Sequence, residues 1–337
     1  MFRESKNKML KTLQENNVAW DPSAQIKNLQ SRATFIARIR HFFAARAVIE
    51  VETPLLSHGT ITDPHIQAIT ALFKLDNDSK GKTVYLQTSP EYAMKRLLAA
   101  GMGSIYQICK AFRQGEVGKL HNPEFTVLEW YRPGFDHHDL MDEMDELLQH
   151  VLQTKPMMRF SYAEVFEKYL GINPHNATIA ELSDCAKKNN IEMAGGLSDR
   201  DAWLNLLISH CIEPQLGLDN PVFVYDFPAS QAALAKIRHE NPSVASRFEL
   251  YFKGVELANG FHELLDADEQ RKRFETDLIY RKEHGLPIVP IDERFIAALE
   301  KGLPDCAGVA LGIDRLMMLA LGCNEIKEIL SFNFEKA

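Results

Sequence analysis

The sequence predicts an α+β protein whose antiparallel β-sheet is flanked by helices. Strand-like runs occur from residue 48 to residue 311 without the regular strand–helix alternation of a doubly wound parallel sheet. Two of these runs, 104–112 and 124–131, are joined by a polar loop, which predicts an antiparallel hairpin. Helical patterns dominate residues 139–211, and we interpret this stretch as a helical insertion between two halves of one sheet.

The elements belong to one predicted domain, residues 25–337, which follows a polar N-terminal extension, residues 1–24. Apolar residues at helical spacing predict the first helix at 31–47. Ser89-Pro90-Glu91 begins the next helix, because proline and a carboxylate both suit a first helical turn. Further helices are predicted at 267–284, at 293–301 and from Gly312 onward. Strands are also predicted at 48–51, 84–87, 222–226, 248–253, 255–258 and 307–311.

The composition is that of an ordinary globular protein, with 45% hydrophobic and 25% charged residues among 337. The 46 acidic and 38 basic residues give a net charge of −8, which argues against a protein whose whole surface binds nucleic acid. The N-terminus lacks the apolar stretch of a signal peptide, and no run approaches the ~18 apolar residues of a membrane span. The five cysteines form no C-x-x-C pair, so reduced thiols are expected. We therefore expect a cytoplasmic protein without a membrane segment.

The first of three segments that suggest chemistry spans residues 112–131. The chain has no P-loop, no G-x-G-x-x-G after a strand and no G-x-S-x-G elbow, so these familiar motifs do not assign a function. In this segment Arg113 ends one predicted strand and lies beside a loop. Glu129 and Tyr131 share one face of the returning strand, since side chains alternate with a period of two.

The other two segments combine charges with apolar residues and glycines. Carboxylates occur at Glu249, Glu256 and Glu263. The last two lie among apolar residues and glycines, so we expect partial burial and a compensating cation, such as Mg²⁺ or a substrate ammonium group. In residues 308–316 an apolar strand leads into a helix whose first turn holds Arg315. Because a cation is disfavoured near a helix N-terminus, this arginine suggests an anionic ligand.

Each segment also has an ordinary structural interpretation. Arg113 alone is more often a surface residue, the glutamates equally fit a solvated strand face, and the glycine–arginine segment equally fits a packing turn. Together the segments suit one chemical task, in which two arginines hold a polyphosphate, carboxylates hold Mg²⁺ and further carboxylates hold an amine.

These segments resemble the signature motifs of the class II aminoacyl-tRNA synthetases. The helix and strand before Pro54 resemble motif 1, the dimer-interface element, while residues 112–129 resemble motif 2 and residues 308–315 resemble motif 3. The segments most similar to the lysyl branch of the class are 88–91, 121–125 and 256–264. The resemblance implies a class II synthetase-like catalytic domain over the predicted domain, and a homodimer.

Within the lysyl branch the chain resembles a family of paralogues that lack the anticodon-binding domain. About 30 residues precede the motif 1-like helix, too few for a five-stranded OB-fold. The family is that of the elongation factor P–(R)-β-lysine ligases, and residues 129–133, 227–232 and 304–312 carry the likeness. It implies ATP-dependent activation of (R)-β-lysine, with α-lysine as a poorer substrate, and transfer to the ε-amino group of a lysine on elongation factor P. It implies no charging of tRNA.

The resemblance also assigns roles to residues. Arg113 and Arg315 are the implied catalytic residues, which hold the α-phosphate and the γ-phosphate of ATP. Glu249 and Glu256 are the implied ligands of Mg²⁺, an oxygen-seeking cation. The implied ATP-binding residues are Arg113, Gly115, Glu116, Asn122, Glu256, Leu257, Gly312 and Arg315. The implied substrate-binding residues are Ser89, Pro90, Glu91, Glu129, Tyr131, Asn259, Glu263 and Ala310.

Two positions distinguish this chain within the resemblance. Motif 2 of the family usually reads Arg-Asn-Glu-Glu, but Gly115 stands here where a carboxylate normally faces the adenine amino group. Either Glu116 or backbone carbonyls take over that contact. Ala310 stands where the tRNA-charging lysyl enzymes have glycine. Its methyl group is worth ~1–3 kcal/mol in a tight pocket, which suits a preference for the β-isomer.

Two other functions stay open at this stage. One is a tRNA-independent adenylating enzyme that makes a free metabolite, and the other is a catalytically silent paralogue that only binds and regulates. The retained arginines and carboxylates argue against the silent paralogue. An acidic protein acceptor implies a basic patch at the mouth of the site, for which Lys95, Arg96 and Lys119 are candidates, although each equally fits an ordinary solvated charge.

Overall fold

The computed structural model describes residues 20–75, 80–193 and 196–337. Most of the predicted N-terminal extension, residues 1–19, lies outside the described residues. The described helices are α1 (Ile26–Ala44), α2 (Glu91–Ala99), α3 (His137–Leu152), α4 (Tyr162–Leu170), α5 (Ile179–Lys188), α6 (Arg200–Leu207), α7 (Ala267–Glu283), α8 (Glu293–Lys301) and α9 (Ile313–Ala320). The described strands are β1 (Ile49–Glu50), β2 (Leu56–Ser57), β3 (Thr70–Phe73), β4 (Lys82–Leu86), β5 (Ile105–Phe112), β6 (Glu124–Pro133), β7 (Met158–Ser161), β8 (Val222–Pro228), β9 (Ile237–Arg238), β10 (Val244–Phe252), β11 (Val255–His262) and β12 (Cys306–Gly312).

A nine-stranded sheet organises the fold, in the order β1-β5-β6-β12-β11-β10-β8-β7, with β9 paired to β10. Its pairs are antiparallel except at the two edges, where β1 pairs with β5 and β7 pairs with β8 in parallel. A separate three-stranded sheet has the order β2-β4-β3. The prediction of an α+β fold with an antiparallel sheet is confirmed, and so is the hairpin of β5 and β6.

The alternation of side chains gives the large sheet two different faces. One packs against the main core, and the other, which we call the functional face, carries the candidate site residues. On β6, Leu128 and Trp130 point into the main core, which α1, α3 and α9 complete. The alternate residues, Glu129 and Tyr131, point to the opposite face. The neighbouring strand β12 repeats this pattern, with Ala307, Val309 and Leu311 in the core. The period of two therefore collects polar side chains from several strands on one surface.

The stretch predicted as a helical insertion, residues 139–211, is mostly helical but also contains one strand. Its first helix, α3, packs into the main core. One strand, β7, pairs with β8 at the edge of the large sheet, and its sequence alternates apolar and polar residues over only four positions. The remaining helices, α4 to α6, form a second core with β8 and β10.

In the described part of the chain, no helix combines the length and the apolarity that crossing a membrane requires. All five cysteines are free, as expected, and two of them are buried.

Candidate active site

A cluster of three carboxylates, which we call the acidic pocket, lies on the functional face of the sheet. It consists of Glu91 at the start of α2, Glu129 on β6 and Glu263 directly after β11. Ser89 Oγ donates a hydrogen bond to Glu129 Oε1 at 2.5 Å, and Tyr131 OH donates to Glu129 Oε2 at 3.2 Å. The structure thus brings together five of the residues predicted to bind the substrate.

A lysine lies inside the acidic pocket. Lys95 Nζ lies 2.5 Å from Glu91 Oε1 and 2.6 Å from Glu263 Oε2, and the lysine side chain is 1% exposed. The prediction that Lys95 belongs to a surface patch is therefore wrong. Because Lys95 follows Glu91 by four residues on one helix, both side chains lie on the same helical face and point to the pocket. That spacing is the signal in the sequence that could have identified it.

Burial shapes the charge of the acidic pocket. Burial, and then the charge of the neighbouring Glu91, raise the pKa of Glu129 to about 8, although the hydrogen bonds from Ser89 and Tyr131 oppose this shift. Burial also raises the pKa of Glu263 to about 8, although Lys95 opposes this shift. The negative charge of these carboxylates is therefore not fully balanced in the free protein, and the ammonium group of a ligand would favour their ionised form.

The pairing of strands places the other predicted substrate residues beside the pocket. Ala310 on β12 lies opposite Glu129 on β6 and opposite Asn259 on β11, so the three side chains form a row on one face. Pro90 precedes the first residue of α2 and sets the start of that helix.

A glycine that the sequence did not single out forms the wall of the pocket. A Cβ on Gly308 would lie 2.2 Å from Tyr131 Cε1 and 2.6 Å from Glu263 Oε1. Both neighbours are almost fully buried, at 3% and 1% exposure. Only glycine therefore fits between the tyrosine ring and the carboxylate.

A second pair of carboxylates, Glu249 and Glu256, reaches the same face by way of a β-bulge. Regular alternation would place Glu256 on the face opposite Asn259, because an odd number of positions separates them. The pairing of β10 with β11 skips Leu257, and this directs Glu256 to the side of Glu249 and Asn259. The Leu257 side chain is buried in the main core, so only its backbone borders the site.

The donor set at this pair fits Mg²⁺. Burial and the charge of Glu249 raise the pKa of Glu256 to about 7, whereas Arg315 lowers it. Glu249 accepts hydrogen bonds from Arg247 Nη2 at 2.5 Å and from Tyr251 OH. In residues 20–75, 80–193 and 196–337 no group of three or more histidine, cysteine or acidic side chains could hold a metal ion. Two carboxylates suffice for Mg²⁺ where substrate phosphates complete the coordination.

Arg315, the third residue of α9, is held by three fixed acceptors. Its Nη2 donates to His121 Nε2 at 2.6 Å, its Nη1 to the Glu256 carbonyl oxygen at 3.2 Å, and its Nε to the Leu120 carbonyl oxygen at 3.3 Å. Burial, and then the charge of Arg315, lower the pKa of His121, which keeps the imidazole neutral and able to accept this hydrogen bond. His121 lies in residues 121–125, which resemble the lysyl branch, but the sequence alone assigned it no role.

Arg113 follows β5 directly and carries a donor without a partner. Its guanidinium lies 5.1 Å from the centre of the Phe125 ring, and its Nη1 lies 3.6 Å from Glu116 Oε1. Within the described residues Arg113 Nε is buried and has no hydrogen-bond partner, which suits an incoming anionic oxygen. Gly115 has a φ of +82°, a region in which a glutamate would be strained, so the loop conformation here favours glycine.

The remaining predicted ATP residues border the two arginines. A Cβ on Gly312 would lie 3.6 Å from the Leu257 carbonyl oxygen, so the two backbones run side by side. Asn122 Nδ2 donates to the Glu124 carbonyl oxygen at 2.7 Å, and its Oδ1 accepts from the Phe334 amide at 3.0 Å. The Asn122 side chain thus fastens the loop to the C-terminal segment.

The comparison with known families decides the assignment. The model of the class II tRNA synthetases (D, K and N) matches residues 9–336. The chain belongs to this family. An elongation factor P–(R)-β-lysine ligase of Haemophilus influenzae (strain PittGG) is 54% identical over 318 residues, which cover 94% of this chain and 98% of the relative. A protein of the same name from Vibrio parahaemolyticus is 55% identical over 316 residues, which cover 94% of this chain and 98% of the relative. A third, from Pasteurella multocida, is 52% identical over 324 residues, which cover 96% of this chain and 99% of the relative.

Asp314 joins the three motif-like segments of this chain. It lies beside Arg315 on α9, forms an ion pair with Arg32 Nη1 of α1 at 2.6 Å and accepts a hydrogen bond from the Thr126 amide of β6 at 2.7 Å. Asp314 is 1% exposed, so both contacts are buried. This junction fixes the start of α9, and with it the position of Arg315.

Proposed function

We propose that this protein activates (R)-β-lysine with ATP and transfers it to the ε-amino group of a lysine on elongation factor P. The observation that carries the proposal is the acidic pocket on the same sheet face as the Glu249–Glu256 pair, with Arg315 bound to the Glu256 carbonyl oxygen beside it. The names of relatives that are more than half identical over almost their whole length support the same substrates.

The proposed reaction needs positioning more than covalent help from the protein. The substrate carboxylate attacks the α-phosphorus of ATP, pyrophosphate leaves, and the lysine amine then attacks the carbonyl carbon while AMP leaves. Arg113 would bind the α-phosphate and Arg315 the γ-phosphate, and fixed cations of this kind stabilise the charge that develops in the transition state. Glu249 and Glu256 would hold Mg²⁺, which supplies further neutralisation of phosphate charge when it is bound.

The acidic pocket favours a substrate with two ammonium groups. Three carboxylates and one lysine leave two negative charges when all four groups are ionised. A diamino acid balances this charge, whereas an amino acid with one ammonium group does not. The methyl group of Ala310, in the row between Glu129 and Asn259, supports (R)-β-lysine as the better substrate and α-lysine as the poorer one.

Exposed apolar side chains support a homodimer as part of the proposal. Ile49, Leu56, Leu72 and Phe73 are 46–59% exposed on β1 and the small sheet, and exposed apolar residues of this kind often mark an interface. The proposal also includes a cytoplasmic location, one catalytic domain over residues 25–337 and no charging of tRNA. Sedimentation of a monomer at micromolar concentration would contradict the dimer.

ATP–pyrophosphate exchange without tRNA tests the proposed function. The assay compares (R)-β-lysine, α-lysine and no amino acid, and is followed by a transfer assay with elongation factor P. We expect strong exchange with (R)-β-lysine, weaker exchange with α-lysine, and a labelled acceptor. Exchange without transfer would favour an enzyme that makes a free metabolite, and no exchange with either isomer would favour a silent paralogue.

A further inference from the structure

We infer that Lys95 is a positioning residue of the amino-acid site, which holds Glu91 and Glu263 in place for the substrate ammonium group. This inference rests on the proposed function, because it concerns the same pocket. It assigns a role to a lysine that no motif of the sequence singled out.

The geometry around Lys95 is that of a closed pocket rather than of a surface ion pair. Its side chain and that of Glu263 are each 1% exposed, and Nζ lies 2.5 Å and 2.6 Å from its two carboxylate partners. The ammonium group also lies 5.6 Å from the centre of the Phe295 ring on α8. A buried ion pair contributes little net stability, because desolvation offsets the Coulomb attraction. Stability alone therefore does not account for a lysine here.

Lys95 uses one oxygen of each carboxylate. It contacts Glu91 Oε1 and Glu263 Oε2. In the part of the chain that the structure describes, no hydrogen bond joins the second oxygen of either group to another protein atom. The second oxygens are thus left for a ligand, while the first are fixed to a common cation. A lysine in this position orients two acceptors at once.

The charged and titratable neighbours of the Lys95–Glu263 pair come from three elements. They are Glu91 on α2, Glu129 and Tyr131 on β6, and Cys306 on β12, around Glu263 after β11. Glu91 and Glu129 raise the pKa of Glu263, and Lys95 alone among these neighbours lowers it. Removal of the lysine charge therefore raises the pKa of Glu263, so that more of this carboxyl group is protonated at neutral pH.

Lys95→Met tests the inference in the full-length protein. The assay is ATP–pyrophosphate exchange with (R)-β-lysine between pH 6.5 and 9, with KM measured for the amino acid and for ATP. We expect the amino-acid KM to rise at least roughly tenfold at pH 7 and to recover as the pH rises, since one pKa unit changes the ionised fraction about tenfold. The KM for ATP should stay within about threefold. Lys187→Met, which removes an exposed lysine of α5, is the matched control and should leave all these values unchanged.

An unchanged amino-acid KM in the Lys95 variant would overturn the inference, and so would a rise that is the same at every pH, because a packing defect has no pH dependence. If Lys95→Met does not fold, Lys95→Gln takes the same test, since its amide still donates to Glu263 without carrying a charge. Measurements on the wild-type protein distinguish failure of the proposed function from failure of the role of Lys95. If it shows no exchange with (R)-β-lysine, the proposed function fails, whereas exchange in the wild type with a normal pH profile in the variant contradicts only the role of Lys95.

Discussion

Gly308→Ala tests whether the wall of the acidic pocket is as tight as the structure indicates. The added Cβ would lie 2.2 Å and 2.3 Å from two ring carbons of Tyr131 and 2.6 Å from Glu263 Oε1. These distances are far below van der Waals contact, and neither neighbour can move into solvent because both are almost fully buried. Either the backbone of β12 shifts or the two side chains leave their positions.

The expected cost follows from the general price of overpacking a buried site, which is about 1–3 kcal/mol. That free energy corresponds to roughly 5- to 150-fold in an equilibrium constant. We expect the KM for (R)-β-lysine in ATP–pyrophosphate exchange to rise within this range, while the KM for ATP changes little. Gly118→Ala is the matched control, because a Cβ at Gly118 meets no atom within 4 Å. A Gly308→Ala protein with wild-type amino-acid KM and wild-type thermal stability would refute this reasoning.

Three further predictions concern the arginine, the alanine and the titration of the site. Arg315→Ala should lower exchange by about 100-fold or more with an unchanged circular dichroism spectrum, and near-normal exchange would contradict its role. Ala310→Gly should shift relative kcat/KM toward α-lysine by roughly tenfold, measured with both isomers in one exchange assay. Because the pKa of Glu129 is raised to about 8 and an ammonium group binds its ionised form, kcat/KM for the amino acid should rise with pH up to about 8. Glu129→Gln should move that rise to lower pH, because Glu129 also raises the pKa of Glu263.

Local sequence patterns predicted much of the fold. The helix predicted at 293–301 coincides with α8, and the predicted hairpin matches β5 and β6 within two residues at each end. These elements have apolar periodicity and turn signals of their own. The start of α1 at Ile26 lies five residues before the prediction, because the buried residue of the first turn is the polar Asn28 rather than an apolar residue. The strand β7 was not predicted, because its apolar–polar alternation covers only four residues and its pairing with β8 depends on a distant part of the chain.

The site was predicted less completely, because its missing parts depend on contacts between distant residues. Strand alternation alone placed Glu129 and Tyr131 on one face, and the structure agrees. The same alternation would have placed Glu256 on the wrong face, because it takes no account of the bulge at Leu257. That bulge arises from the pairing of β10 with β11 and is not visible in the sequence of one strand. The requirement for glycine at position 308 likewise arises from Tyr131 and Glu263, which come from other strands. Motif resemblance supplied Glu256 without the geometric reason for it, and did not single out Gly308.

The sheet itself explains how two acidic sites with different proposed ligands coexist on one face. Glu129, Ala310, Asn259 and Glu249 lie directly opposite one another across β6, β12, β11 and β10. Neighbouring strands are ~4.8 Å apart, so this row extends over about 14 Å. The acidic pocket lies at one end of the row, and the Glu249–Glu256 pair, the proposed Mg²⁺ site, lies at the other. Because both ends are acidic, the proposed substrate would place its ammonium groups at the acidic pocket, and only a bound Mg²⁺ and the two arginines would let phosphates and the substrate carboxylate approach the other end. The spacing of the strands therefore keeps the proposed ammonium site and the proposed phosphate site apart on one face.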